Sequence, residues 1–146
     1  MQEEIKISTI QPIESDQQFS GLRFFENRVQ AGFPSPAQNE YSDSIDLNRA
    51  LITNPAATFC ARVIGDSMVD AGINEGDLLI IDRSITPHDG NIAVCFIDGD
   101  FTVKRLSVRD DGVFLTPANA KFPELKVSEE SNFKVWGVVS HIIKKV

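Results

Sequence analysis

Only 2 cysteines, 2 histidines, 1 tryptophan and 1 tyrosine stand among the 146 residues of this chain. Cys60 and Cys95 both sit in apolar stretches. That placement fits two reduced, buried thiols of a cytoplasmic protein better than a secreted disulfide scaffold. Neither His88 nor His141 has a partner at metal-ligand spacing, so no metal and no other cofactor is expected. His88 lies in the turn-like Thr86-Pro87-His88-Asp89-Gly90, and His141 follows Val138-Val139-Ser140 in a terminal apolar run; both are read as structural. There is no phosphate-cradling glycine loop. The longest apolar runs, Leu78 to Ile81 and Ile92 to Ile97, are far short of the ~20 residues that a bilayer demands, so no membrane span is expected. The opening Met1-Gln2-Glu3-Glu4 is acidic and reads as no signal peptide. Basic residues are outnumbered 14 to 21, for a net charge of -7, and direct DNA binding is therefore disfavoured.

The length is that of one domain, large enough to bury a core without a disulfide or metal staple. Residues 1–18 are polar with no sustained period. Phe19, Leu22, Phe25 and Val29 then recur at helical spacing, while Phe24 to Gln30 also permits a strand, so residues 1–31 read as an N-terminal arm that docks through its aromatics. Residues 32–44 begin Gly32-Phe33-Pro34-Ser35-Pro36-Ala37, where two prolines in three residues predict an extended linker. From residue 45 to 146 a core is expected. It opens with a short helix over Ile45 to Ile52 and continues with β runs at Thr58 to Ile64, Asp77 to Ile81, Asn91 to Ile97, Phe101 to Val108, Gly112 to Leu115 and Phe133 to Ile143. Asp98-Gly99 between two alternating runs predicts a tight hairpin, which also accounts for the neighbouring Asp98 and Asp100 carboxylates. The fold class is mainly β: a compact antiparallel barrel or sandwich of short strands with an extended N-terminal arm.

Gly65-Asp66-Ser67-Met68 follows directly on a predicted strand. A serine after a strand-ending glycine turn can project its hydroxyl while neighbouring backbone N–H groups converge on one point, as at a nucleophile beside an oxyanion hole. Taken alone, the four residues are more economically a turn. A Gly-Asp-Ser start also opens some lipolytic hydrolases, but the Asp-x-x-His pair they need is missing, since neither histidine has Asp three positions earlier. A serine needs a base. If the base is not histidine, it is a lysine held neutral by desolvation. Lys104 is the best candidate because Thr102, Leu106 and Val108 share its strand face, whereas Lys121, Lys126, Lys144 and Lys145 stand in polar or terminal contexts. The plainer reading of Lys104 is a sheet-edge lysine with its stem over apolar surface.

In combination, Gly65-Asp66-Ser67-Met68 and Phe101-Thr102-Val103-Lys104-Arg105-Leu106 resemble the LexA-type self-cleaving family with its Ser–Lys dyad. Gly32 to Ala37, Ile45-Asp46-Leu47-Asn48, Gly76-Asp77-Leu78-Leu79-Ile80 and Trp136-Gly137-Val138-Val139 are similar to the SOS mutagenesis branch of that family, and the resemblance runs from residue 32 to 146. It implies a serine endopeptidase that cuts its own Ala31–Gly32 bond. Ser67 would be nucleophile, Lys104 general base, and the backbone N–H groups of Ser67 and Met68 the oxyanion hole. It further implies a cytoplasmic homodimer, stimulated by RecA filaments on single-stranded DNA, whose trimmed form joins a UmuC-type subunit in an error-prone translesion polymerase. Three other readings remain: a non-catalytic polymerase-binding module, a LexA- or phage-repressor-like regulator, and a signal-peptidase-like enzyme. The repressor reading is weakened by residues 1–31, which carry three basic and five acidic side chains where a DNA-binding domain would be expected. The signal-peptidase reading is weakened by the expected lack of a membrane anchor.

Overall fold

A computed structural model describes residues 6–7, 10–13, 45–66, 68–128 and 132–146. The chain divides into two units, Met1–Ile13 with Asn54–Val146, and Glu14–Thr53. In the second unit the described residues are 45–53, which hold the helix α1, Leu47–Leu51. The Asp46 carboxylate caps it, accepting from the N–H groups of Asn48 (3.0 Å) and Arg49 (3.4 Å), which satisfies donors that a helix start leaves open. The expected linker 32–44 and the aromatics Phe19 to Val29 lie outside the described residues.

The first unit is an antiparallel sheet. Its strands are β1 (Lys6–Ile7), β2 (Gln11–Pro12), β3 (Thr58–Ile64), β4 (Leu78–Asp82), β5 (Ile92–Ile97), β6 (Asp100–Arg109), β7 (Gly112–Thr116), β8 (Leu125–Lys126) and β9 (Phe133–Ile143). The spatial order is β1-β3-β4-β9-β5-β6-β7-β8, and β2 also pairs with β3. The mainly β, antiparallel expectation therefore holds. Among the described residues barrel closure is not found: the hydrogen-bonded order runs from β1 to β8 without pairing its ends. Four of the six expected strands begin or end one residue away from the predicted bounds, and Thr58–Ile64 and Phe133–Ile143 coincide with them. The hairpin turn is as expected: Asp98 and Gly99 take φ of 48° and 92°, so both central residues are left-handed, as a two-residue turn matching strand twist requires.

The last strand does the most to shape the sheet. β9 lies between β4 and β5, and its register slips by one residue against each, between Ile80 and Ile81 and between Val94 and Cys95. Such bulges bend and twist a strand. The bent sheet buries both of its faces. On one side Ala61, Val63, Met68, Ile73, Leu79, Ile81, Val94 and Val103 form a core; on the other Ala93, Cys95, Leu106 and Leu115 form a second. At Gly137 the two strands come so close that an added Cβ would stand 2.7 Å from Ile81 Cγ2, so only glycine fits.

An ion pair closes one end of the sheet. Lys144 Nζ donates to Asp77 Oδ2, which also accepts from the Asn74 N–H at 2.8 Å. Burial pushes the Asp77 carboxyl up, but the Lys144 hydrogen bond, the Asn74 N–H and the Lys144 charge carry it below its usual value. A carboxylate depressed on folding stabilises the protein above its unfolded pKa, and that contribution is lost as pH falls through the folded one. Lys144→Gln should therefore lower the urea midpoint at pH 7. The Lys144 side chain is 45% exposed, which keeps the effect to about 1 kcal/mol or less. The gap to wild type should narrow as pH falls below about 3.9; a gap constant from pH 7 to pH 2 would count against the pair.

Candidate active site

The turn after β3 is built from local backbone bonds. Gly65 takes φ of 95°, a conformation that costs other residues a steric clash, and swings the chain out of the strand. Val69–Ala71 forms one 3-10 turn. The Asp66 carbonyl accepts from the Val69 N–H (3.2 Å), and the Met68 carbonyl from the N–H groups of Ala71 (3.0 Å) and Ile73 (3.1 Å). Met68 is fully buried, and its side chain anchors the turn in the first core. Residues 66 and 68 are thus both held, one on each side of position 67. Ser67 itself lies outside the described residues, as do Ala31 and Gly32.

A second loop braces this turn. After β7 the chain passes through Pro117, Ala118 and Asn119. The Ala118 carbonyl accepts from the Asp70 N–H (2.7 Å), the Ala118 N–H donates to Met68 Sδ (3.2 Å), and Asn119 Nδ2 donates to the Asp66 carbonyl (3.0 Å). Asn119 is itself buried, 8% exposed. Asp66 Oδ1 is buried with no hydrogen-bond partner among the described residues. Sequence reasoning missed Asn119, and the turn-forming composition of Pro117-Ala118-Asn119 was the one local signal available.

Lys104 sits in the middle of β6, directly across from Ala93 of β5. It is 4% exposed, which is unusual for a residue type that almost never lies buried unless partnered. The plainer expectation of a sheet-edge lysine is thereby corrected: β6 is flanked by β5 and β7, and the small Ala93 opposite leaves room for the stem. Lys104 shares its face with buried Leu106 and half-buried Thr102; Val108, also expected there, is exposed as β6 runs out of the core. The Cys95 thiol is pushed up to about 12, by burial first, with the positive charge of Lys104 acting the other way. Cys95 therefore stays protonated at neutral pH beside Lys104. Cys60 is free like Cys95 but only half-buried.

The histidines lie elsewhere in the fold. His88 is exposed in the loop before β5, where its N–H donates to Asn91 Oδ1 at 2.7 Å. His141 stands on β9, paired with Ile80, its ring against Ser140 Oγ at 3.0 Å. Among the described residues no three His, Cys, Asp or Glu side chains group as a metal site, and no helix is long and apolar enough to cross a membrane.

Residues 23–140 match the Peptidase S24-like family, and the chain belongs to it. It is a UmuD-like, SOS-related protease of the LexA type. It is 45% identical over 121 residues to Protein ImpA of Salmonella typhimurium, covering 83% of this chain and 82% of that protein. Protein MucA of Escherichia coli is 41% identical over 121 residues, with 82% of each chain covered. The LexA repressor of Stenotrophomonas maltophilia is 34% identical over 117 residues, which are 80% of this chain and 55% of the repressor.

Proposed function

We propose that the chain is a serine endopeptidase that cleaves its own Ala31–Gly32 bond. The observation that carries this reading is the deeply buried lysine in the centre of β6, in a member of a peptidase family whose strand-ending turn carries Gly65-Asp66-Ser67-Met68. Ser67 Oγ attacks the Ala31 carbonyl carbon as Lys104 Nζ takes the hydroxyl proton. The backbone N–H groups of Ser67 and Met68 receive the oxyanion. Collapse of the tetrahedral intermediate breaks the C–N bond, and Lys104 returns the proton to the leaving Gly32 amine. Water, activated by the same lysine, then hydrolyses the Ala31 ester. Two small residues flanking the bond let the backbone enter a narrow cleft, and Pro34 and Pro36 keep the following segment extended.

In this reading residues 1–31 form the cleavable arm, 32–44 the linker and 45–146 the catalytic and dimerisation core of a cytoplasmic homodimer. A RecA filament on single-stranded DNA accelerates cleavage by favouring the conformation that seats Ala31–Gly32 over the dyad, and performs no chemistry. The trimmed protein serves a UmuC-type polymerase subunit. The pairing of β1 and β2 with β3 adds a physical consequence: both strands lie in the released segment, so its departure removes these two partners from the outer edge of β3. An uncovered strand edge is a template for another chain.

Mild alkaline incubation followed by intact-mass measurement and N-terminal sequencing tests the cut. The large fragment should begin at Gly32, and Gly32→Val should suppress cleavage by roughly 10²-fold or more through misplacement of the bond without unfolding the core. A fragment beginning elsewhere would overturn the assignment.

A further inference from the structure

The bracing loop behind the Gly65–Ala71 turn touches the turn on both sides of position 67. Backbone bonds and the Met68 side chain account for two of the three contacts. The third is of a different kind. Asn119 places a buried side-chain amide against one backbone carbonyl, that of Asp66, at 3.0 Å. This carbonyl belongs to the peptide unit that joins Asp66 to Ser67. A peptide unit is planar and trans, so holding its C=O in one direction also sets the direction of its N–H. Buried side-chain amides are costly unless they are hydrogen-bonded, and Asn119 meets that demand from both ends: Nδ2 donates to Asp66, and Oδ1 accepts from the Lys121 N–H at 3.1 Å.

We propose that Asn119 is a positioning residue for peptide-bond cleavage: its amide holds the Asp66–Ser67 peptide so that the Ser67 N–H faces the developing oxyanion. This rests on Ser67 being the nucleophile. Asn119 touches neither substrate nor reacting atoms in this role; it acts through the peptide it holds. The two ends of its side chain have separable duties. Oδ1 supports the local turn to Lys121, which is structural, and Nδ2 serves the catalytic turn.

Asn119→Asp separates them, because aspartate keeps the shape and the acceptor for Lys121 but presents no donor to Asp66. The experiment follows self-cleavage of the full chain by intact mass from pH 7 to pH 11 and measures the urea midpoint of each variant. Ser67→Ala and Asn119→Ser run in parallel. The expected result for Asn119→Asp is a plateau rate at least fivefold below wild type, with the pH midpoint unmoved and the protein folded across the range. Asn119→Ser, smaller and uncharged, should show the same loss. A drop of less than fivefold in both variants, or a loss that tracks the unfolded fraction, or a shifted midpoint at an unchanged plateau, would overturn the positioning role. Cleavage persisting in Ser67→Ala would instead overturn the nucleophile assignment, so the two failures are distinguishable.

Discussion

Lys104→Ala and Ser67→Ala should each reduce the proposed self-cleavage by at least about 10³-fold, the scale on which nucleophile–base pairs fail when either member is removed. Alanine leaves the slot opposite Ala93 empty, so Lys104→Met is the better comparison. It keeps the length of the stem in a buried place and removes only the amine, and it should remain folded while equally inactive. Lys104→Arg should be inactive as well, since a guanidinium does not give up its proton in a protein. A lysine accepts the serine proton only after losing its own, and free lysine holds that proton to about pH 10.4. Unassisted cleavage should therefore be slow at pH 7, rise with pH and level off. His88→Ala and His141→Ala should leave the profile unchanged, because one lies in an exposed loop and the other on β9 against Ser140. A midpoint near pH 6.5 that vanished in either histidine variant would make histidine the base and end the dyad reading.

Met68→Ala should lower the unfolding free energy by about 2–5 kcal/mol, read as a fall in the urea midpoint at constant slope. The side chain is fully buried among Ala61, Val63, Ile73 and Leu79, so its removal leaves a void in a packed core. It also supplies the sulfur that accepts from the Ala118 N–H, and its loss frees one of the contacts bracing the Gly65–Ala71 turn. Self-cleavage should therefore fall further than the unfolded fraction accounts for. Met68→Leu conserves volume and should cost less than about 1.5 kcal/mol. A Met68→Ala protein within 1 kcal/mol of wild type would show that the turn is held by its backbone bonds alone, on the scale used for cavity-forming changes.

Much of this architecture was legible because its causes are local. β-rich runs bounded by turn residues announce each of β3 to β7 and β9, Asp98-Gly99 announces the hairpin, and helical spacing over Ile45 to Ile52 announces α1. β1 and β2 carried no such signal. Lys6–Ile7 and Gln11–Pro12 are two-residue strands in a polar stretch, and they exist through pairing with β3, more than forty positions away. β8, Leu125–Lys126, escaped notice for the same reason: it is short and both residues are exposed.

Sequence by itself determined the β-rich runs and the turns between them, because side-chain pattern and the conformational limits of glycine act within a few residues, whereas the candidate dyad came from the resemblance to LexA-type proteins. Tertiary structure alone decided three things. The final strand β9 inserts between β4 and β5, since an edge of backbone donors and acceptors can be matched by any strand and only the packing of the whole sheet chooses which. Lys104 is buried because neighbours on both sides, Ala93 of β5 and the strand β7, close over it. Asn119 reaches Asp66 across 53 positions of chain, a contact that no local pattern encodes because it exists only after the two loops have been brought together by the folded sheet.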